Sequence, residues 1–349
     1  MISDWVSRKH ERSVDGFISL LSPASGVLAS DGDDWQDFIF RGHASEEYDL
    51  VPNVFRGRGA PFPWRGPHGK RTYGEQIRAE IAQLYEFYKL ADERGLHVPE
   101  YSYRLKQVLE ECQDPGFIDN ASRGKAAWPP DELLSLLALA QHYGVPTRLL
   151  DFTRSPYVAA YFAAEGASKS PHKGNLAVWA VNKLPFEDDS QWDWLQDRIR
   201  IVTAPGSEIP NLLAQQGLFL LSQHPIQRSD PDGTRRKKIR NFRVSDQFMA
   251  ESYERIMVNQ LIIGTYDRPL LFKFTLPARL APELLAVLAR LGIDGSSIYP
   301  GYAGVARALK ERLLLPDGTG SSTRHARKDY VRTFKRWRKR LRAASRARE

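Results

Sequence analysis

The sequence predicts an α+β fold, a mixed sheet core with surrounding helices and a basic C-terminal helix, on three observations. Strand-like and helix-like segments are interleaved without a regular strand–helix–strand alternation, which argues against a doubly wound parallel sheet. Apolar residues make up 42% of the 349 residues, enough to fill a sizeable core. Charge is unevenly placed: Arg324 to Glu349 holds twelve Lys or Arg against Asp329 and Glu349, a balance of +10 in a chain whose net charge is +8. The expected organisation is an N-terminal extension over 1–34, a single body over 35–315 and a basic helix or tail over 316–349.

Residues 1–34 read as a leading helix or strand and a loop rich in Gly and Asp. Trp35 to Arg41 alternates as a strand does, with Arg41 at its end. The Pro- and Gly-rich run Pro61 to Gly74 reads as an exposed loop, and Glu75 to Arg94 as a helix with Ile77, Ile81, Leu84, Tyr85 and Tyr88 on its core face. Leu136 to Tyr143 reads as a helix buried on most of its surface, closed by Gly144 and then Pro146. Thr147 to Phe152 is extended. Ser155 caps a second helix whose first position is Pro156, where a missing amide costs nothing. Strands are expected at Asn175 to Val181, Ile199 to Ala204, Leu218 to Leu221 and Leu270 to Leu276, and a late helix at Ala281 to Leu291. Ser229 to Lys238 reads as an exposed turn. In the tail, Tyr330, Phe334, Trp337 and Leu341 recur at helical spacing and make one aromatic seam on a basic helix.

No stretch at the N-terminus has the apolar length of a signal peptide, and nowhere do roughly 18 apolar residues run uninterrupted, so a cytoplasmic protein without membrane contact is expected. Cys112 is the only cysteine, which excludes an intrachain disulfide and a cysteine-based metal site; no metal is expected. Arg332, Lys335, Arg336, Arg338, Lys339 and Arg340 of the tail are candidates for binding RNA or DNA, because dense cationic charge releases counterions from phosphate backbones without reading sequence. A solvated charged helix anchored on the body by its aromatic seam is the simpler reading and ranks ahead of phosphate binding; a membrane surface or a partner protein is the remaining alternative.

Chemically restrictive residues crowd the ends of the two central helices: Gln141-His142-Tyr143-Gly144, then Pro146-Thr147-Arg148-Leu149-Leu150-Asp151, then Thr153 and Ser155. Phe40-Arg41-Gly42-His43, Tyr48, Leu50, Pro52 and Phe55-Arg56 lie upstream, and Ala214-Gln215-Gln216-Gly217-Leu218-Phe219 lies downstream. In this order they resemble the FRG domain family, named for its Phe-Arg-Gly motif, with a weaker echo over Ile293 to Gly304. The sequence departs from the family pattern at His43, where Gln is usual, and at Phe152, where Trp is usual; His43 would bring a titratable group to the site.

The motif order is also similar, more loosely, to ADP-ribosyltransferases. That resemblance implies a sheet core of ADP-ribosyltransferase-like type, NAD as substrate, and a site of Arg41, then Thr153 and Ser155, then Gln215 or Gln216. It implies catalytic roles for Arg41, Asp151, Thr153 and Gln216, and binding roles for Gly42, His43, His142, Tyr143, Arg148, Ser155, Gln215 and Phe219. The chemistry suits these residue types. Breaking the nicotinamide–ribose bond develops positive charge on the sugar while the pyrophosphate stays negative. Arg41 can donate bidentately to phosphate, Thr153 or Ser155 can hold a ribose hydroxyl, and Tyr143, Phe152, Tyr157 or Phe219 can contact nicotinamide. Gln216 stands where the best-known transferases carry Glu and supplies no base, which leaves two alternatives: another residue such as His43, His142, Asp151 or Glu208 is the base, or the site binds nucleotide without turning it over. No P-loop and no GxGxxG fingerprint is present.

The leading expectation is an NAD-dependent ADP-ribosyltransferase acting as a toxin or antiphage defence effector, with an antitoxin or other partner protein possible. The alternative is a non-catalytic nucleic-acid-binding protein that uses the tail and an Arg41/Arg148 pocket. A hydrolase or nuclease built on His142 and Asp151 ranks below both, because these residues lack metal-ligand spacing. Simpler roles accompany each residue: an ion pair of Asp151 with Arg41 or with Arg148, helix capping by His142 and Ser155, and a strand start at Gln216-Gly217.

Overall fold

In the computed structural model, which describes residues 6–28, 34–55, 73–187, 199–203, 210–222 and 271–314, seven strands form one mixed sheet. They are β1 (Val6–His10), β2 (Phe38–His43), β3 (Leu149–Thr153), β4 (Asn175–Asn182), β5 (Ile199–Val202), β6 (Gly217–Ser222) and β7 (Leu271–Pro277). Their order is β1-β7-β4-β2-β3-β6-β5; β1 runs parallel to β7, and every other neighbouring pair is antiparallel. The helices are α1 (Val14–Leu21), α2 (Tyr73–Glu93), α3 (Tyr103–Glu111), α4 (Pro115–Ser122), α5 (Leu134–His142), α6 (Pro156–Lys169), α7 (Leu184–Glu187), α8 (Pro210–Ala214), α9 (Ala281–Arg290), α10 (Gly295–Ile298) and α11 (Tyr302–Leu314).

Residues paired in register share a face, as does every second residue along a strand. By that rule Phe38 and Phe40 of β2, Leu149 of β3, Phe219 and Leu221 of β6, and Phe272 and Phe274 of β7 lie on one face. Two helical groups cover it. Helices α1, α6 and α9 pack over β2, β4 and β7, while α2 to α5 pack over β3, β5 and β6. The opposite face buries a third, smaller cluster that includes Ile39, Leu150, Phe152, Trp179 and Val181.

Local signals explain most elements. Ser155 accepts a hydrogen bond from the Val158 amide at 3.4 Å and Pro156 follows it, so α6 starts where its first amides are satisfied. Gly144 ends α5 in the left-handed region at φ 88°, letting the Gly144 and Val145 amides donate back to Gln141 and Ala140. Gly42 lies under α6: an added Cβ would come 1.9 Å from the Ala159 carbonyl oxygen. Large side chains on α6 are spaced by alanines at 159, 160, 163 and 164, which lets the helix sit this close to the sheet.

Several expectations need correction. Trp35–Asp37 is a 3₁₀ turn capped by Asp34, so the strand begins at Phe38 and Arg41 sits inside it rather than at its end. Residues 6–21, read as part of an extension, supply an edge strand and a core helix. The spans 56–72, 229–238 and the basic tail lie outside the described residues.

Arg148 is the largest correction. It is 1% exposed, its Nε donates to Glu80 Oε2 at 2.7 Å, its Nη2 to Glu80 Oε1 at 3.0 Å, and its Nη1 to the Trp128 carbonyl at 3.1 Å. Trp128 Nε1 donates to the same carboxylate at 3.0 Å, and Gln76 Nε2 does so at 2.9 Å. A buried guanidinium requires a carboxylate and further hydrogen bonds, and α2 delivers them, so Arg148 pairs with Glu80 and not with Asp151. Glu80→Gln should therefore lower stability in urea unfolding by about 3–5 kcal/mol. Lys89→Ala, which removes the exposed Lys89–Glu93 pair, should change it by less than about 1 kcal/mol.

Candidate functional site

Strands β2 and β3 share a single register pair, Phe40 with Thr153. On their outer sides β2 stays paired with β4 as far as His43–Ala177, and β3 stays paired with β6 along its whole length. The sheet therefore parts between Arg41 and Asp151, where the two helical groups also meet. A cleft opens there with two lobes, one of about 210 Å³ and one of about 560 Å³. Arg41, His142, Asp151 and Gln215 line both.

Arg41 spans the split. Its Nη1 donates to the Asp151 carbonyl at 2.5 Å and lies 3.5 Å from Asp151 Oδ2. Its Nε donates to His43 Nε2 at 3.0 Å. That bond makes His43 Nε2 an acceptor, so Nδ1 carries the proton and donates to the Tyr48 carbonyl at 3.1 Å. His43 is 5% exposed; it holds Arg41 from behind and does not reach the cleft surface as expected. The Arg41–Asp151 pair exists, but it is not a buried pair, since the Asp151 side chain is 62% exposed.

Asp151 is oriented by a chain of hydrogen bonds that begins in its own strand. The Leu149 amide donates to the Thr147 hydroxyl at 3.1 Å, that hydroxyl donates to Gln141 Oε1, and Gln141 Nε2 donates to Asp151 Oδ1 at 2.5 Å. Gln141 opens the segment, Gln141 to Ser155, that was expected to help form the pocket, but no individual role was expected of it. Asn53, Phe162, Asn211, Tyr299 and Arg307 also line the cleft without having been singled out as site residues.

The remaining candidates separate into those that face the cleft and those that do not. His142 is exposed at the end of α5, its ring 5.0 Å from that of Tyr143, which is 71% exposed and lines neither lobe. Thr153 lines the larger lobe, but its hydroxyl is engaged: it donates to the Gln215 carbonyl at 2.7 Å and accepts from the Ser155 amide at 3.0 Å. Ser155 serves as the cap of α6. Phe219 lines the smaller lobe and Phe152 the larger, each otherwise buried in the core, and Gly42 lines the larger. Gln216 takes the left-handed conformation at φ 48°, which turns the chain so that Gln215 lines both lobes while Gln216 is exposed outside them. Its carbonyl accepts from the Arg154 amide at 3.0 Å. Glu208 and the tail residues Arg332, Lys335, Arg336, Arg338, Lys339 and Arg340 lie outside the described residues.

Together these groups place two cations, a carboxylate, an imidazole and four carboxamides around one cleft, a set able to hold phosphate oxygens and sugar hydroxyls. Among the described residues no group of three or more His, Cys, Asp or Glu is placed to hold a metal ion, and no helix is long and apolar enough to cross a membrane. Residues 36–172 match the family model of the FRG domain. No curated protein and no solved structure matches the chain.

The roles at His43 make a direct expectation. His43→Gln keeps an acceptor for Arg41 and a donor for the Tyr48 carbonyl, whereas His43→Leu keeps neither. His43→Leu should lose about 1–3 kcal/mol in urea unfolding, and His43→Gln should lose less than half of that. In the wild type, ¹⁵N chemical shifts should show the Nδ1–H tautomer at this residue.

Proposed function

We propose, from the premise that the chain carries an FRG domain, that the cleft is the NAD site of an ADP-ribosyltransferase with a sheet core of that superfamily's type. The observation that carries the reading is the convergence of Arg41, Asp151 and Gln215 from neighbouring strands and their ends onto one cleft at a split in the sheet. Pockets of several hundred Å³ suit nucleotides, and the larger lobe falls in that range.

In this reading Arg41 receives the pyrophosphate, its guanidinium already set by His43 and the Asp151 carbonyl so that little reorganisation accompanies binding. Gln215 and Gln141 donate to ribose hydroxyls. The C1′–N bond breaks and its electron pair leaves with neutral nicotinamide, so positive charge develops on the ribose. Asp151, held by Gln141 and exposed to the cleft, stabilises that charge. The acceptor then bonds to C1′ and gives up its proton to Asp151 or His142. Gln215 takes the third position, in place of Gln216. The toxin or antiphage role, and delivery to nucleic acid by the basic tail, belong to the same proposal.

The test is nicotinamide release from NAD by purified protein, with and without RNA, DNA or lysate as acceptor. Arg41→Ala and Asp151→Asn should each lower kcat/KM on the order of a hundredfold or more. Gln215→Ala should lose more than Gln216→Ala. Acceptor-dependent release would separate transfer from NAD hydrolysis. Folded protein that releases no nicotinamide under any condition would overturn the reading in favour of nucleic-acid binding.

A further inference from the structure

Part of the wall of the larger lobe comes from Tyr299, Pro300, Ala303 and Arg307, outside the span that matches the family model. There the Arg307 guanidinium lies 3.9 Å over the Tyr299 ring, and its Nη1 donates to Glu165 Oε1 at 2.8 Å. Tyr299 is in turn met edge-on by Phe162, with ring centroids 6.3 Å apart and planes at 90°. One face and one edge of the guanidinium are thus engaged, and the Arg307 side chain still shows 40% of its surface and lines the lobe.

Both cations have a carboxylate partner, but the Arg41–Asp151 contact is long at 3.5 Å with Asp151 62% exposed, whereas Glu165 meets Arg307 at 2.8 Å and is only 13% exposed, so a phosphate arriving at Arg307 would compete with a closer, less solvated carboxylate. A flat, charge-compensated guanidinium with an aromatic ring beneath it favours another flat ring. Burial, with Glu165 adding to it, pushes the Tyr299 hydroxyl up to about 12, so the ring remains a neutral phenol at neutral pH. The support is rigid. Glu311 accepts from the Tyr161 hydroxyl at 2.6 Å and from the Gly295 amide at 3.0 Å, pinning α11 to α6 and α10. Gly304 lets α11 approach Tyr299, since an added Cβ would come 1.7 Å from the Tyr299 carbonyl oxygen.

We propose that the Tyr299–Arg307 stack is a purine platform that seats the adenine of NAD, an assignment that rests on the nucleotide reading of the cleft. The direction follows from the chemistry. The reacting ribose must lie by Asp151, and the smaller lobe, about 210 Å³, accepts the smaller nicotinamide ring. The pyrophosphate then meets Arg41, and the adenosine half extends into the lobe of about 560 Å³ that Arg307 lines. Base stacking of this kind tolerates no loss of the planar group, so Lys is not a substitute for Arg here.

The test measures binding of AMP and of ribose 5-phosphate by calorimetry, with saturation-transfer NMR to read which ligand protons touch protein. Wild type should bind AMP with the strongest transfer to the adenine H2 and H8 protons. Arg307→Lys keeps the charge for Glu165 and should weaken AMP about tenfold while leaving ribose 5-phosphate unchanged. Ala303→Phe, at an exposed position lining the lobe, should exclude AMP without disturbing the fold. AMP binding that is absent in wild type, insensitive to Arg307→Lys, or lost in parallel with ribose 5-phosphate would overturn the platform. Selective loss of AMP binding in a protein that never consumes NAD would uphold the platform and remove the transferase reading. NAD consumption with AMP binding and KM for NAD untouched by Arg307→Lys would do the reverse.

Discussion

The single register pair between Phe40 and Thr153 is the constraint on which the rest of the molecule depends. It joins a half-sheet of β1, β7, β4 and β2 to one of β3, β6 and β5, and each half carries its own helical layer and its own core. Backbone groups released where pairing stops must find other partners if they are out of reach of water. Arg41 supplies one of them by donating to the Asp151 carbonyl across the gap. The cleft is therefore a consequence of how the sheet is joined, and the residues nearest the join are the ones that line it.

On the opposite face the two halves do share a core, since Ile39, Trp179 and Val181 of one pack in the same cluster as Leu150 and Phe152 of the other. On the β3 side the stabilising centre is the Arg148–Glu80 pair, with Trp128 and Gln76 on the same carboxylate. It ties α2 to the segment that leads into β3, and so fixes where Asp151 begins. On the β2 side the close approach of α6 at Gly42 does the equivalent, seating a helix rich in alanine directly on the strand that carries Arg41. Arg41 and Asp151 are each positioned by packing within their own half, which is why one guanidinium can bridge them with little freedom of its own.

Local determinants were legible in the sequence and distant ones were not. The cap at Ser155, the proline after it, the glycine that closes α5 and the apolar faces of α2, α6 and α9 each depend on neighbours within a turn or two, and the elements formed there within one or two residues of expectation. The start of β2 was misjudged because Asp34 and Asp37 make a capping box that turns Trp35–Asp37 into a 3₁₀ segment. Arg148 was assigned to the site because its partner lies 68 positions away, on α2, and nothing near it in sequence signals burial. Gln215 and Gln216 could be told apart only by the left-handed backbone at Gln216, a conformation that a sequence of two glutamines does not announce.

The Phe-Arg-Gly motif can now be read as three different physical duties. Phe40 fills the helical core, Gly42 admits α6, and only Arg41 faces the cleft with its charged end. Two of the three would be required by the fold whatever the protein did, and the same holds for Thr153 and Ser155, whose polar groups make hydrogen bonds that organise the start of α6. In the proposed reading, functional weight falls on groups that the fold does not need. The Asp151 carboxylate is one, 62% exposed yet held by Gln141, and the exposed imidazole of His142 is another. Arg307 belongs with them in part: its Glu165 partner is largely buried, but its own side chain is 40% exposed, lies over the Tyr299 ring and lines the lobe. Polar groups that are oriented with care, left open to solvent and contribute little to folding are best explained by what they are oriented to receive.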